Sequence, residues 1–161
     1  MTRFTRRSTA GVASLLAVSA FIAVSANTVG ALGSGKADSG TVYAAVTHTV
    51  GTTTYASGNS TDKLFGKGAV TYALHIVPNT PGTLKLTVPS VTYYYSNGSL
   101  TGTASATLTI GAGGAATVSN GKLSLTKGAG ARKGHSFKGT FGGTGSVTTG
   151  AYKFTYAGKY K

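Results

Sequence analysis

Ser99-Leu100-Thr101-Gly102-Thr103-Ala104-Ser105-Ala106-Thr107-Leu108-Thr109-Ile110 is the stretch that decides the fold. Every odd position is Ser or Thr, and every even position is apolar or Gly. Strand side chains alternate between faces, so this segment reads as a strand with one dry face and one wet face. A helix would smear the pattern around its axis. Just upstream, Asn97-Gly98 offers two residues that tolerate positive φ, as a type I′ hairpin turn requires. Before it, Val91-Thr92-Tyr93-Tyr94-Tyr95-Ser96 is β-branched and aromatic, which suits a pleated surface. A hairpin is therefore expected over residues 83–110. Pro89 either separates two strands or bends one. Leu84, Leu86 and Val88 share a face. A one-residue slip would put the Leu100, Leu108 and Ile110 row into water, at roughly 25 cal/mol per Å2 of apolar area. That amounts to several kcal/mol, so one register is expected.

Outward from the hairpin, the same period recurs. Residues 41–50 form a first strand, with Val42, Ala44, Val46 and Val50 on one face and His48 among them. Residues 52–57 continue it or form a second strand, and 58–62 read as a turn cluster. Residues 68–77 alternate clearly, with Val70, Tyr72, Leu74 and Ile76 opposite Ala69, Thr71, Ala73 and His75. Asn120-Gly121 predicts a second hairpin between 116–119 and 122–126. A short strand over 136–141 ends in a turn at Gly142-Gly143-Thr144-Gly145. Residues 151–160 close the chain, with Tyr152, Phe154, Tyr156 and Tyr160 on one face and Lys153, Thr155 and Lys159 on the other. No helical period appears after residue 26. About eight short antiparallel strands imply an all-β closed barrel, with a β-sandwich as the alternative. A barrel is preferred because pairing the last strand with the first removes both edges. About 135 residues bury roughly two-thirds of their unfolded surface, enough for one core.

Residues 1–26 read as an export signal ahead of that domain. Arg3, Arg6 and Arg7 precede an apolar stretch over 12–24, too short to span a bilayer, and Val24-Ser25-Ala26 is a small-x-small cleavage site. The expectation is a secreted protein beginning at Asn27, exported through a bacterial route. There is no cysteine to carry a lipid, a disulfide or a thiolate metal site. Residues 27–40 are small and Gly/Ser/Ala-rich, as in a flexible linker. Residues 41–161 form the single barrel domain.

The charge is one-sided. Net charge is +13, from 15 Lys and Arg against two acids, Asp38 and Asp62. Without the three leader arginines the balance is about +10, which favours anionic partners. Lys122, Lys127, Arg132, Lys133, Lys138, Lys153 and Lys159 are the candidate polyanion-binding set, for an anionic cell-wall polymer, phospholipid headgroups or extracellular nucleic acid. The bland alternative is a solubilising surface that also protects strand edges.

Catalytic signatures are sparse. Asp38 falls in the expected linker and Asp62 alone in an expected turn, so the paired carboxyls of a glycosidase are not anticipated. No Gly-x-Ser-x-Gly elbow is present. His48, His75 and His135 are too scattered to suggest a three-His metal site. The glycines of 128–134 lack the Lys-Ser/Thr ending of a phosphate loop. His48, His75, Tyr93 and Tyr95 are the candidate ligand-binding residues, if their faces turn inward.

Lys127-Gly128-Ala129-Gly130-Ala131-Arg132-Lys133-Gly134, followed by Gly139-Thr140-Phe141-Gly142-Gly143-Thr144-Gly145, resembles the glycine signature of allene oxide cyclase-like and dirigent-like barrels. Gly98-Ser99-Leu100-Thr101-Gly102 resembles a glycine-bearing strand of the same group, as found in small secreted actinobacterial proteins. The resemblance covers residues 98–158, and Arg132 stands where the pattern has an aromatic residue. It implies an eight-stranded barrel with an apolar cavity, a homo-oligomer (often a trimer) and no cofactor. Those families use carboxylates in the cavity, and neither Asp lies where one is expected, so no catalytic residue is carried over. Two functions are then in play. One is a non-catalytic secreted barrel that binds a ligand or an anionic polymer. The other is a cofactor-free cyclase or isomerase acting on an apolar small molecule inside the barrel.

Overall fold

The computed structural model describes residues 35–161; the expected export signal and residues 27–34 of the expected linker lie outside them. Eight strands run in chain order: β1 (Lys36–Val50), β2 (Thr53–Asp62), β3 (Gly66–Pro78), β4 (Thr83–Tyr95), β5 (Gly98–Ile110), β6 (Ala115–Gly130), β7 (Phe137–Ser146) and β8 (Ala151–Tyr160). Each pairs antiparallel with its sequence neighbour, and β8 pairs with β1, closing the barrel. Closure leaves no free edge. A short 3-10 turn, Ala112–Gly114, links β5 to β6.

The central hairpin forms with Tyr93 opposite Leu100 and Thr92 opposite Thr101, so Leu100 and Leu108 are buried. Ile110, expected in that row, is exposed at the barrel rim. Pro89 bends one strand: the register shifts between Val88 and Val91. A bulge suits proline, which has no N–H for the ladder. It also reverses parity, so Leu84, Leu86 and Val88 point inward before it, and Val91, Tyr93 and Tyr95 after it. The loop itself is Ser96-Asn97, and Asn97 does not take positive φ, so the type I′ turn is not formed. Arg132 Nη2 donates to Asn97 Oδ1 at 2.9 Å, and Ala131 N donates to Asn97 O at 2.8 Å, tying the tip to the β6–β7 loop.

Four expectations are corrected. Asn120-Gly121 makes no hairpin; β6 runs straight through, and Asn120 sits at φ 53° in a bulge. Turning there would forfeit the ladders with β5 and β7 on the far side, so the positive-φ residue is absorbed as a bulge. Residues 142–145 are strand, not turn. Gly143 lies opposite Phe154 and Gly145 opposite Tyr152, and the missing side chains make room for those rings. Residues 58–61 are strand too, and Asp62 ends β2. Finally, β1 begins at Lys36, because Lys36–Gly40 pairs with the far end of β8. The last five residues of the expected linker are therefore barrel wall.

Strand direction defines two ends. At the mouth, loops 51–52, 79–82, 111–114 and 147–150 carry no charged residue. At the closed end lie loops 63–65, 96–97 and 131–136 and the strand ends at Lys36 and Tyr160. The larger core cluster centres on Val42, Val70, Val91, Tyr93, Leu100, Leu123, Leu125, Phe137 and Tyr156. A smaller one, of Ala106, Leu108, Ala116 and Val118, lies toward the mouth. Among the described residues no helix is long and apolar enough to cross a membrane.

Candidate functional site

An apolar cavity of about 100 Å3 runs down the barrel from the mouth. Its wall takes Val70, Tyr72, Leu74 and Ile76 from β3, as their alternation predicts, with Leu86, Val88 and Tyr93 from β4 and Tyr152, Phe154 and Tyr156 from β8. None of its lining side chains is charged. Val46 and Ile76 line it and are still 38% and 44% exposed, so the cavity reaches solvent there. The rings of Tyr152 and Phe154 stack, with centroids 5.8 Å apart. Tyr93 meets Tyr156 edge-on at 5.6 Å and forms the floor.

Beneath that floor, the only two acids of the chain stand together. Asp38 and Asp62 are each 4% exposed. Gly40 on β1, opposite Asp62 on one side and Tyr156 on the other, has no side chain, and the Tyr156 hydroxyl occupies that space. Tyr156 Oη donates to Asp62 Oδ2 at 2.6 Å, and Tyr95 Oη approaches the same oxygen at 3.4 Å. Asp62 Oδ1 accepts the backbone N–H groups of Leu64 and Phe65, each at 2.8 Å, capping the β2–β3 turn. Asp38 Oδ1 accepts from Ser39 N at 2.8 Å. Burial, and after it the charge of Asp62, hold the Asp38 carboxyl up at about 6. Burial likewise pushes the Tyr95 and Tyr156 phenols far above their ordinary range. Ser60 Oγ, buried on the same face of β2, has no hydrogen-bond partner among the described residues.

Both aspartates were expected in linker or turn, so this pairing corrects the reading from sequence. The signal was parity: 38, 40, 42 and 44 share a face of β1, and 54, 56, 58, 60 and 62 share a face of β2. It could be used only once both strands were known to extend to the closed end.

The candidate ligand-binding residues divide. Tyr93 lines the cavity, and Tyr95 points inward below it. His48 is exposed on the outer wall and stacks on Tyr55 at 4.6 Å, because a bulge after Val46 reverses its face. His75 also lies outside, with Nδ1 3.2 Å from the Thr52 carbonyl. Neither lines the cavity. His135 stacks on Tyr160 at the closed end. Among the described residues no three His, Cys, Asp or Glu side chains gather where a metal could sit.

The candidate cations divide as well. Lys127, Arg132, Lys133, Lys138 and Lys159 surround the closed end, joined by Lys36, Lys63, Lys67 and Lys161. Lys122 and Lys153 stand apart on the wall, the latter with Nζ 5.5 Å from the Tyr43 ring centroid. Lys138 and Lys159 are direct cross-strand partners. Arg132 plugs the end itself, its guanidinium carbon 3.8 Å from the Phe65 ring centroid.

These features define a closed eight-stranded antiparallel barrel with an apolar cavity, an uncharged mouth and a basic closed end. No known family, curated protein or solved structure matches the chain.

Proposed function

We propose that this chain is an exported, non-catalytic binding barrel that takes an apolar small molecule into its cavity. The observation that carries the reading is the cavity: uncharged walls, reaching solvent through an uncharged mouth. Ligand pockets are concave and mostly apolar, with few polar groups. Size sets the scale of the ligand, since an apolar cavity of roughly 150 Å3 admits benzene. At about 100 Å3 this cavity is smaller, so it encloses a short chain or part of one ring, with the remainder extending to the rim. The test is an NMR titration of the folded protein with xenon and toluene. Shifts confined to the cavity residues support the reading, and no shift at saturation overturns it.

The basic end favours a second binding activity. Nine of the twelve basic residues that follow the leader gather there, leaving Lys85, Lys122 and Lys153 on the walls. Lys138 and Lys159 are direct cross-strand partners within that set, so the closed end presents its cations close together. A phosphate-bearing cell-wall polymer is the kind of repeating anion that such a cluster suits. Retention on a phosphate-bearing resin should fall steeply with salt and weaken in the Lys138→Ala/Lys159→Ala variant. Folded protein that passes through at low salt sinks this second activity alone.

The cyclase or isomerase alternative has buried carboxyls to draw on. They meet the cavity only through Tyr156, whose hydroxyl is committed to Asp62. That arrangement suits a structural tie better than proton transfer to a ligand.

A further inference from the structure

The barrel interior holds two kinds of tyrosine. Tyr95 and Tyr156 direct their hydroxyls to Asp62. Tyr72, Tyr93 and Tyr152 line the cavity, and among the described residues their hydroxyls have no hydrogen-bond partner. Tyr93 is 6% exposed. Phenol hydroxyls in apolar surroundings normally find a partner, and none of these three is sealed off: among the described residues the side-chain atoms both buried and unpartnered are Ser60 Oγ and Arg132 Nε. These three come from different parts of the wall. Tyr72 on β3 and Tyr93 on β4 are diagonal neighbours, because Val70 faces Tyr93 and Tyr72 faces Val91. Tyr152 comes from β8. The three phenols are close enough to feel one another: after burial, Tyr152 is what raises Tyr72 most, and Tyr72 is what raises Tyr93 most.

A cavity of this size has room for a few waters, at about 30 Å3 each. A molecule that displaces water from three phenol hydroxyls without offering them an acceptor loses affinity. The phenols stay protonated at any ordinary pH, since burial raises all three, so what they offer is O–H donors. An ionised ligand is disfavoured, because no lining side chain is charged and burying a lone ion is costly.

We infer that the cavity is built for a neutral molecule with an apolar ring or short chain and a hydrogen-bond-accepting oxygen, held by the hydroxyls of Tyr72, Tyr93 and Tyr152. The ligand class is thus that of phenols, ketones and lactones, which bind more tightly than hydrocarbons of the same size such as toluene, and carboxylates do not belong to it. This rests on the binding reading above and narrows it.

The test is calorimetry or NMR titration of the purified protein with toluene, phenol and benzoate at pH 7. Tyr72→Phe, Tyr93→Phe and Tyr152→Phe are run beside it, each first checked for an unchanged fold by its NMR spectrum. At least one Phe variant should weaken phenol about tenfold and leave toluene unchanged or tighter, and benzoate should not compete. Phe variants that weaken both probes equally, or neither, overturn the inference while toluene binding keeps the cavity reading intact. Benzoate binding as tightly as phenol overturns it too. Failure of toluene and phenol alike removes the binding reading along with it. Because the three substitutions sit on different strands, loss of folding in one leaves two to decide the matter.

Discussion

Tyr156 Oη and Asp62 Oδ2 are 2.6 Å apart across ninety-four residues of chain. The bond ties β8 to β2 across β1, at the level where the cavity floor meets the closed end. Three strands and the β2–β3 turn converge on one carboxylate, since Asp62 also holds Leu64 N and Phe65 N.

Tyr156→Phe should therefore destabilise the barrel more than an ordinary tyrosine loss. A hydrogen bond to a charged group contributes about 1.5–3 kcal/mol, and the ring itself is retained. Tyr95→Phe should cost less, because its hydroxyl stands 3.4 Å from the same oxygen. Urea unfolding of the two variants checks the order. Equal losses would show that distance to Asp62 is not what matters.

Gly40 makes the tie possible. A methyl there would land on the Tyr156 hydroxyl and on the Thr61 carbonyl. Gly40→Ala should cost at least the 1–3 kcal/mol typical of overpacking. Combined with Tyr156→Phe, the cost should be less than additive, since both remove one contact. A fully additive double mutant would break the link between the two residues.

Stability should respond to acid through Asp38. Its folded value of about 6 lies above the ordinary 3.8, from burial and then the neighbouring Asp62 charge. The folded state thus holds that proton more tightly than the unfolded chain does. The stability it contributes is complete below pH 3.8 and is lost as pH rises through 6. Asp38→Asn should be the more stable protein at pH 7, by about 1–3 kcal/mol, with the advantage gone at pH 4. Thermal unfolding at four pH values measures it. A pH-independent difference between the two proteins would refute it.

Arg132 should matter for packing and for charge. Its guanidinium covers Phe65 and reaches Asn97. Arg132→Lys keeps the charge but loses the planar stacking and the fork. A loss of about 1 kcal/mol is expected, the scale of a partly exposed cation–π contact. Salt-dependent retention on a phosphate resin should change little, because the charge remains. A large drop in retention with unchanged stability would make Arg132 a polymer contact.

Much of the wall was readable, because alternation is local. Leu100 and Leu108, the row Val70 to Ile76, and the row Tyr152 to Tyr156 all face inward as their parity demands. Misreadings arose at glycines and bulges. Asn120-Gly121 carries the same dipeptide as a hairpin turn, and only the flanking ladders with β5 and β7 make it a bulge. Gly143 and Gly145 look like a turn until Phe154 and Tyr152 are seen to need their space. His48 changed face because one bulge reversed the parity of β1. Of the candidate site, Tyr93 was identified from sequence, whereas Tyr72 and Tyr152 were recognised only as inward strand residues.

The amino-acid sequence by itself determined that this is an all-β, strongly basic protein with strands of period two, because those properties depend on neighbours along the chain. Tertiary structure alone decided that Asp38 meets Asp62, that one end is basic and the other uncharged, and that a cavity remains. The first follows from the β1–β2 ladder running on to Gly40 opposite Asp62, the second from the alternating strand directions, and the third from β1 pairing with β8. That closure joins residues more than a hundred positions apart, and no local pattern encodes which side chains will then face each other across the barrel.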